Sequence, residues 1–273
     1  MLRMKTETGW WLITHPDHAR LAGEFAAAWG NALFRRPEPR MRVLYGIAAH
    51  DDGWTARDAQ PSITRQGKPS AFSTELVGKY SAFEEIDLVD YLAVRERAVR
   101  IIAEVDPYAG LLIALHTYNL LTAHADRSTI GAEQLPLLDA FLDGQRVYQG
   151  ELRAEIALDS TLSSEEKAAE TIDEHFRLLQ ACDNLSLLTC VAFEAPADLL
   201  HPLPLCDGGT AEVRVLPMGP RHFRLEPWPF VEAEMSFGFP ARHVEGEIFS
   251  SSAELEMAFA AAAAETLTVQ LSR

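Results

Sequence analysis

The sequence has little cysteine, no excess of positive charge and no long apolar run. Its three cysteines, Cys182, Cys190 and Cys206, are odd in number and lack Cys-x-x-Cys spacing. That argues against a disulfide framework and against a thiolate zinc site. A metal in this chain would have to be held by histidine and carboxylate. Twenty-four basic residues stand against 40 acidic ones, a formal charge of −16, with an isoelectric point near 4.9. Gripping a nucleic-acid backbone or an anionic lipid surface needs clustered positive charge, so neither nucleic acid nor membrane is expected as a main partner. Residues 1–13 carry scattered charges and no apolar core long enough for a signal peptide, and no stretch approaches membrane-spanning length. The expectation is a cytoplasmic protein. The Gly-x-Ser-x-Gly elbow, the P-loop and Gly-x-Gly-x-x-Gly are also absent, which removes nucleotide binding through those motifs.

Hydrophobic residues make up 48% of the 273, enough to bury a sizeable core. The charge is uneven. Residues 1–100 hold 14 basic and 13 acidic groups, a balance of +1, whereas residues 101–273 hold 10 and 27, a balance of −17. Up to about residue 200 the apolar residues recur at helical spacing, and the expected helices cover residues 14–29, 42–52, 87–104, 107–125, 133–157 and 163–189. Residues 53–81 lose the helical period and collect Gly, Pro, Ser and Gln, which reads as a long functional loop. Beyond residue 195, short alternating runs at 212–216, 222–226, 234–239 and 266–271 read as strands, with an alanine-rich helix over 253–264. The fold class expected from this pattern is mainly α. A helical bundle would occupy residues 1–200, and a small C-terminal antiparallel β-sheet subdomain, residues 201–273, would pack on it.

Four residues stand out as inward-facing and ionisable. Stepping back from Leu21 and Ala22 on the first helix reaches His18, and the adjacent pair His50-Asp51 ends the second helix. Asp183 lies on an apolar stripe between Leu179 and Leu187. Imidazole nitrogen and carboxylate oxygen converging from several rigid elements are what a hard or borderline divalent cation requires. A buried, unpaired carboxylate is costly, so Asp183 needs a partner, whether a metal, an arginine or backbone amides. His116 sits in a strongly apolar helix, where a lone histidine is most often a satisfied core residue. The loop after His50-Asp51 carries Arg57, Arg65 and Lys68, a positive cluster able to bind a small anion, though Asp51, Asp52 and Asp58 balance it one for one. Trp54 could wall a pocket or pack the loop down. Pro227-Trp228-Pro229-Phe230 suits a rigid aromatic wedge between sheet and helices. His15 reads as a solvent-facing cap neighbour. His175, flanked by Glu174 and Arg177, reads as a surface residue.

The order His, His-Asp, Asp resembles the HD superfamily of metal-dependent phosphohydrolases and related iron oxygenases. More narrowly, Asp17-His18-Ala19, His50-Asp51-Asp52-Gly53-Trp54, Leu115-His116, Asp183-x-x-Ser186-Leu187 and Pro227-Trp228-Pro229-Phe230 resemble the bacterial family catalogued as domain of unknown function 3891, over nearly the whole chain. The resemblance implies an HD-like helical bundle in which His18, His50, Asp51 and Asp183 hold a divalent metal (iron, manganese, magnesium, zinc or nickel). In that picture His116 is a further ligand or a catalytic acid, Asp52 orients a water, and Arg57, Lys68 and Trp54 face a small, phosphorylated or otherwise anionic substrate. The resulting expectation is a metal-dependent hydrolase of a phosphate ester or similar anion. The alternatives are a non-catalytic binding or assembly protein with a buried polar network and, third, a diiron oxygenase, for which only His116 and His124 offer extra histidines. The oligomeric state is left open, a homo-oligomer included.

Overall fold

The computed structural model of the chain describes residues 1–77 and 87–273. Positions 78–81, the end of the loop expected over 53–81, therefore lie outside the described residues. The chain opens on strands β1 (Leu2–Lys5) and β2 (Gly9–Ile13), followed by α1 (His15–Ala28), α2 (Arg40–Ala48), the one-turn α3 (Thr55–Asp58), α4 (Leu88–Val105), α5 (Pro107–Asn119), α6 (Leu135–Leu158) and α7 (Ala169–Cys190). The later part contributes β3 (Ala197–Asp198), β4 (Leu203–Pro204), β5 (Thr210–Ala211), β6 (Arg214–Gly219), β7 (His222–Glu226), β8 (Glu234–Glu245), α8 (Ser252–Ala261) and β9 (Ala264–Ser272).

Seven strands form one sheet in the order β1-β2-β8-β9-β7-β6-β3, antiparallel except for the β7–β9 pair. This corrects the expectation of a mainly α fold, an HD-like bundle with a small sheet at its C-terminal end. The fold is mixed α+β, and its large sheet joins strands from both ends of the chain. The physical reason lies in Gly9–Ile13. Trp10 and Leu12 pack with Val244, Phe249, Leu255 and Phe259 on the α8 side, while Trp11 and Ile13 join the core beneath the helices. A strand apolar on both faces shows no alternation, and its pairing partner β8 lies more than 220 residues away. Gly9 is required at that junction, because a Cβ there would lie 2.1 Å from the Val244 carbonyl oxygen.

One face of the sheet packs on the main core, while α8 covers the other only beside β2, leaving Ser236, Gly238, Thr266 and Thr268 exposed. Phe237, Phe239 and Ala241 of β8 and Leu267, Val269 and Leu271 of β9 face the main core, together with Leu21 and Phe25 of α1 and Leu179 and Leu185 of α7. Phe230 and Trp228 close one end against Trp29 and Phe237, so Pro227-Trp228-Pro229-Phe230 is indeed a buried wedge. Asn31 fixes it by donating from Nδ2 to the carbonyls of Trp228 and Phe230. Helix α1 starts as its sequence dictates: the Thr14 hydroxyl accepts from Asp17 N–H at 3.1 Å, with Pro16 in the first turn. No helix among the described residues is long and apolar enough to cross a membrane.

Candidate metal centre

Helix α2 stops at Ala48, so His50 and Asp51 lie in the turn beyond it rather than on the helix. The chain passes at once into a single 3-10 turn, Asp52–Trp54. Gly53 allows that turn to press onto α4, where a Cβ would meet the Val94 carbonyl oxygen at 2.4 Å. The close approach sets Asp51 against Arg95, a buried residue on α4 whose Nη1 donates to Asp51 Oδ1 at 2.6 Å.

Four elements bring the ionisable groups together. His18 comes from α1, His50 and Asp51 from the turn, His116 from α5 and Asp183 from α7; none of the five is more than 6% exposed. His18 Nε2 lies 3.0 Å from Asp51 Oδ2. His50 Nε2 lies 3.3 Å from Asp183 Oδ1 and 3.9 Å from Asp51 Oδ2, and His116 Nε2 lies 3.9 Å from Asp183 Oδ2. Two overlapping groups result, His18/His50/Asp51 and His50/His116/Asp183, each with ligand atoms within 4.8 Å of one another.

The hydrogen bonds behind the rings assign the tautomers. Ser186 Oγ donates to the Asp183 carbonyl at 2.8 Å, so it accepts from His18 Nδ1 at 2.9 Å. His50 Nδ1 donates to the Ile47 carbonyl at 2.7 Å. In both residues Nδ1 carries the hydrogen, and Nε2 turns toward the carboxylates. His50 Nε2 is close to Asp183 but off the hydrogen-bonding direction, and among the described residues it is buried without a hydrogen-bond partner. Backing of the distal ring nitrogen by a fixed oxygen is the arrangement that orients histidine ligands in metal sites.

Electrostatics follow from burial and from the carboxylates. Burial opposes charging His50, but Asp51 and Asp183 outweigh it, and its pKa rises to about 9. At His116 burial wins over Asp183 and lowers the pKa to about 3, leaving a neutral imidazole. Burial would raise both carboxyls. Arg95 and His50 overcome it at Asp51, and His50 at Asp183, so both stay below the ordinary carboxylate range. With a proton on His50 and the charge on Arg95, the two carboxylates are balanced.

The remaining predicted residues lie around this centre. Asp52 begins the 3-10 turn, half-buried, with its pKa raised by burial, and its side chain makes no hydrogen bond or ion pair among the described residues. Trp54 is buried, stacked on His15 at a centroid distance of 4.3 Å and edge-on to Tyr91. The Arg57 guanidinium lies 5.9 Å from the Trp54 ring centre and 3.5 Å from Asp90. Lys68 sits in a turn between Ile63 and Pro69, its amino group 4.0 Å from Glu75. Asp58 does not balance the loop cations: it is buried and bonds His15, from whose backbone N–H it accepts at 2.5 Å. His15 is thus partly buried beside the centre, its ring 5.9 Å from that of His18. His175, expected at the surface, is buried, with Tyr108 OH 2.8 Å from its Nδ1. Helix α5 gives way to a π-helical turn, Leu120–His124, at the end of which His124 lies.

Sequence reasoning missed Arg95 and Gln180, and it named Ser186 within a motif without a role. Arg95 had a signal, since it interrupts the inward stripe Leu88, Leu92, Val99 and Ile102. Gln180 stands behind His116, with Nε2 3.0 Å from Asn119 Oδ1 and 3.5 Å from His116 Nδ1.

Residues 1–246 match the family described as Protein of unknown function (DUF3891), and the chain belongs to that family. No curated protein and no solved structure matches it. The family match carries no link to the HD superfamily.

Proposed function

We propose that this DUF3891 protein is a metal-dependent hydrolase acting on a phosphate ester or a similar small anion, with the metal held by His18, His50, Asp51, His116 and Asp183. The observation that supports this most is the pair of committed tautomers: with His18 Nδ1–H and His50 Nδ1–H both given to fixed oxygens, two Nε2 atoms converge on two carboxylates, and one of them has no hydrogen-bond partner. Three imidazoles and two carboxylates suit a borderline divalent ion such as iron, manganese, zinc or nickel better than magnesium, which prefers oxygen ligands. The ligand order His, His-Asp, Asp is that of HD phosphohydrolases, which favours hydrolysis as the reaction. When bound, the ion would supply Lewis acidity and a water of lowered pKa.

The chain's own residues divide the remaining work. His18 and His50 are aimed by Ser186 and by the Ile47 carbonyl, and Asp51 by Arg95. Asp52, next to the ligand pair, is the half-buried carboxylate to which orienting the attacking water is assigned. Arg57, over the Trp54 ring, offers a loop cation for an anionic group. Lys68, occupied with Glu75, is a weaker partner for it.

A second reading, a non-catalytic protein in which the cluster is a buried ion network, is favoured by one observation: a proton on His50 balances the charges without a metal. Metal analysis of protein purified without a histidine tag separates the two. The hydrolase reading predicts stoichiometric metal that is lost in His50→Ala, with metal-dependent turnover of a generic phosphomonoester or phosphodiester. Wild-type protein free of metal, and refusing it on reconstitution, would leave the ion network.

A further inference from the structure

We propose that the centre holds a single divalent ion, and that the Arg95 guanidinium stands where a dinuclear centre would carry its second cation. This rests on the metal reading above and fixes the number of ions that reading requires. Both candidate ligand groups contain His50. Its Nδ1–H is donated to Ile47, so one lone pair remains, on Nε2, and one lone pair binds one ion. The two groups therefore cannot be filled by separate ions that both use His50.

Paired ions in two-metal sites sit about 3.5–4 Å apart, so a second ion here would put four metal charges and the guanidinium against two carboxylates, and a bridging carboxylate would be its first means of support. A carboxylate that spans that distance with one oxygen on each ion uses both of its oxygens. Asp51 Oδ1 is taken by Arg95 Nη1 at 2.6 Å, which leaves only Oδ2 facing His18 and His50. Arg95 is not free to withdraw. Its Nε donates to Tyr91 OH at 3.1 Å, and its guanidinium lies 5.5 Å from the Trp54 ring centre and 5.2 Å from that of Tyr91. An arginine stays charged under all ordinary conditions, so an ion approaching Asp51 Oδ1 would meet a fixed positive charge in a buried site where screening is weak. Asp183, the other carboxylate, has its oxygens turned to His50 and His116, and a second ion held there would have His116 as its one imidazole, because His50 Nε2 is spent on the first.

One divalent ion and one guanidinium against two carboxylates leave the centre one charge positive, which suits a small anion. A diiron oxygenase needs two irons, so a mononuclear centre argues against that activity and for hydrolysis assisted by one metal and one arginine.

Manganese loading tests this. Untagged protein is stripped of metal, saturated with MnCl₂, desalted and measured for manganese per chain and by electron paramagnetic resonance. The proposal predicts one manganese per chain and the six-line spectrum of an isolated ion. Two per chain with an exchange-coupled spectrum would overturn this inference alone, whereas no bound manganese, iron, zinc or nickel would overturn it together with the metal reading. In Arg95→Gln, Asp51 Oδ1 is released, and a second, weaker manganese equivalent is expected. A folded Arg95→Gln protein that still takes one ion would show that Arg95 is not what excludes the second.

Discussion

Helices α5 and α7 face each other at two levels eight residues apart, and each level buries a histidine. At one, Tyr108 of α5 meets His175 of α7; at the other, His116 of α5 meets Asp183 of α7. His175 has a hydroxyl at Nδ1, and burial lowers its pKa to about 4, so it is a neutral core histidine. Eight residues on, two carboxylates and three imidazoles share one buried space, and His50 Nε2 has no hydrogen-bond partner among the described residues. Burial alone therefore does not separate a structural histidine from a ligand. What separates them is whether the ring nitrogens are satisfied by neutral partners or turned toward carboxylates whose charge calls for a cation.

The comparison can be broken most forcefully at Asp183. Removing one member of a buried charged network typically costs about 3–5 kcal/mol, so Asp183→Ala should lose stability of that order in urea unfolding and lose its metal with it. Retained metal at full occupancy would put Asp183 outside the ligand set.

The next effect is a pH dependence at the other level. His175 has a native pKa of about 4 against 6.5 when free, so the folded state favours its neutral form. That contribution is complete above pH 6.5 and is lost as the pH falls toward 4, amounting to roughly 3 kcal/mol at about 1.4 kcal/mol per pKa unit. His175→Gln should flatten the acid limb of stability between those pH values and leave metal content unchanged. An unaltered acid limb would show that His175 is not buried in its neutral form.

Tyr108→Phe removes the hydroxyl facing His175 and should cost about 1–2 kcal/mol with no change in bound metal. The smallest effect is expected far from both levels, at the Ser251 cap of α8, whose side chain accepts from Glu254 N–H. Ser251→Ala should cost about 1 kcal/mol, measured by thermal unfolding, again with metal untouched.

Much of the centre was legible because helical periodicity is a local signal. Leu21 and Ala22 point back to His18, and the apolar stripe of residues 179–187 carries Asp183 inward. His50 and Asp51 were found for a reason only half right, since they face the centre from a turn and not from a helix face. Arg95 is legible by the same periodicity, since it falls on the inward stripe of Leu88, Leu92, Val99 and Ile102. His175 was misjudged from its charged neighbours Glu174 and Arg177, which say nothing about the face between them. Four strands of the sheet, residues 214–219, 222–226, 234–245 and 264–272, lie where alternation marks them, but its N-terminal strands were missed for a different reason. The register of Gly9–Ile13 against β8 is set by contacts across the whole chain, and its double-sided burial erases the alternation that marks a strand.

The central claim is that the Nε2 atoms of His18 and His50 and the carboxylates of Asp51 and Asp183 surround a cation. Anomalous diffraction from crystals soaked in a manganese or zinc salt tests it most directly. The account predicts one strong anomalous peak at coordination distance, about 2.0–2.3 Å, from His18 Nε2, His50 Nε2 and oxygens of Asp51 and Asp183. A saturating soak that leaves no peak there, with the imidazoles hydrogen-bonded directly to the carboxylates, would contradict it.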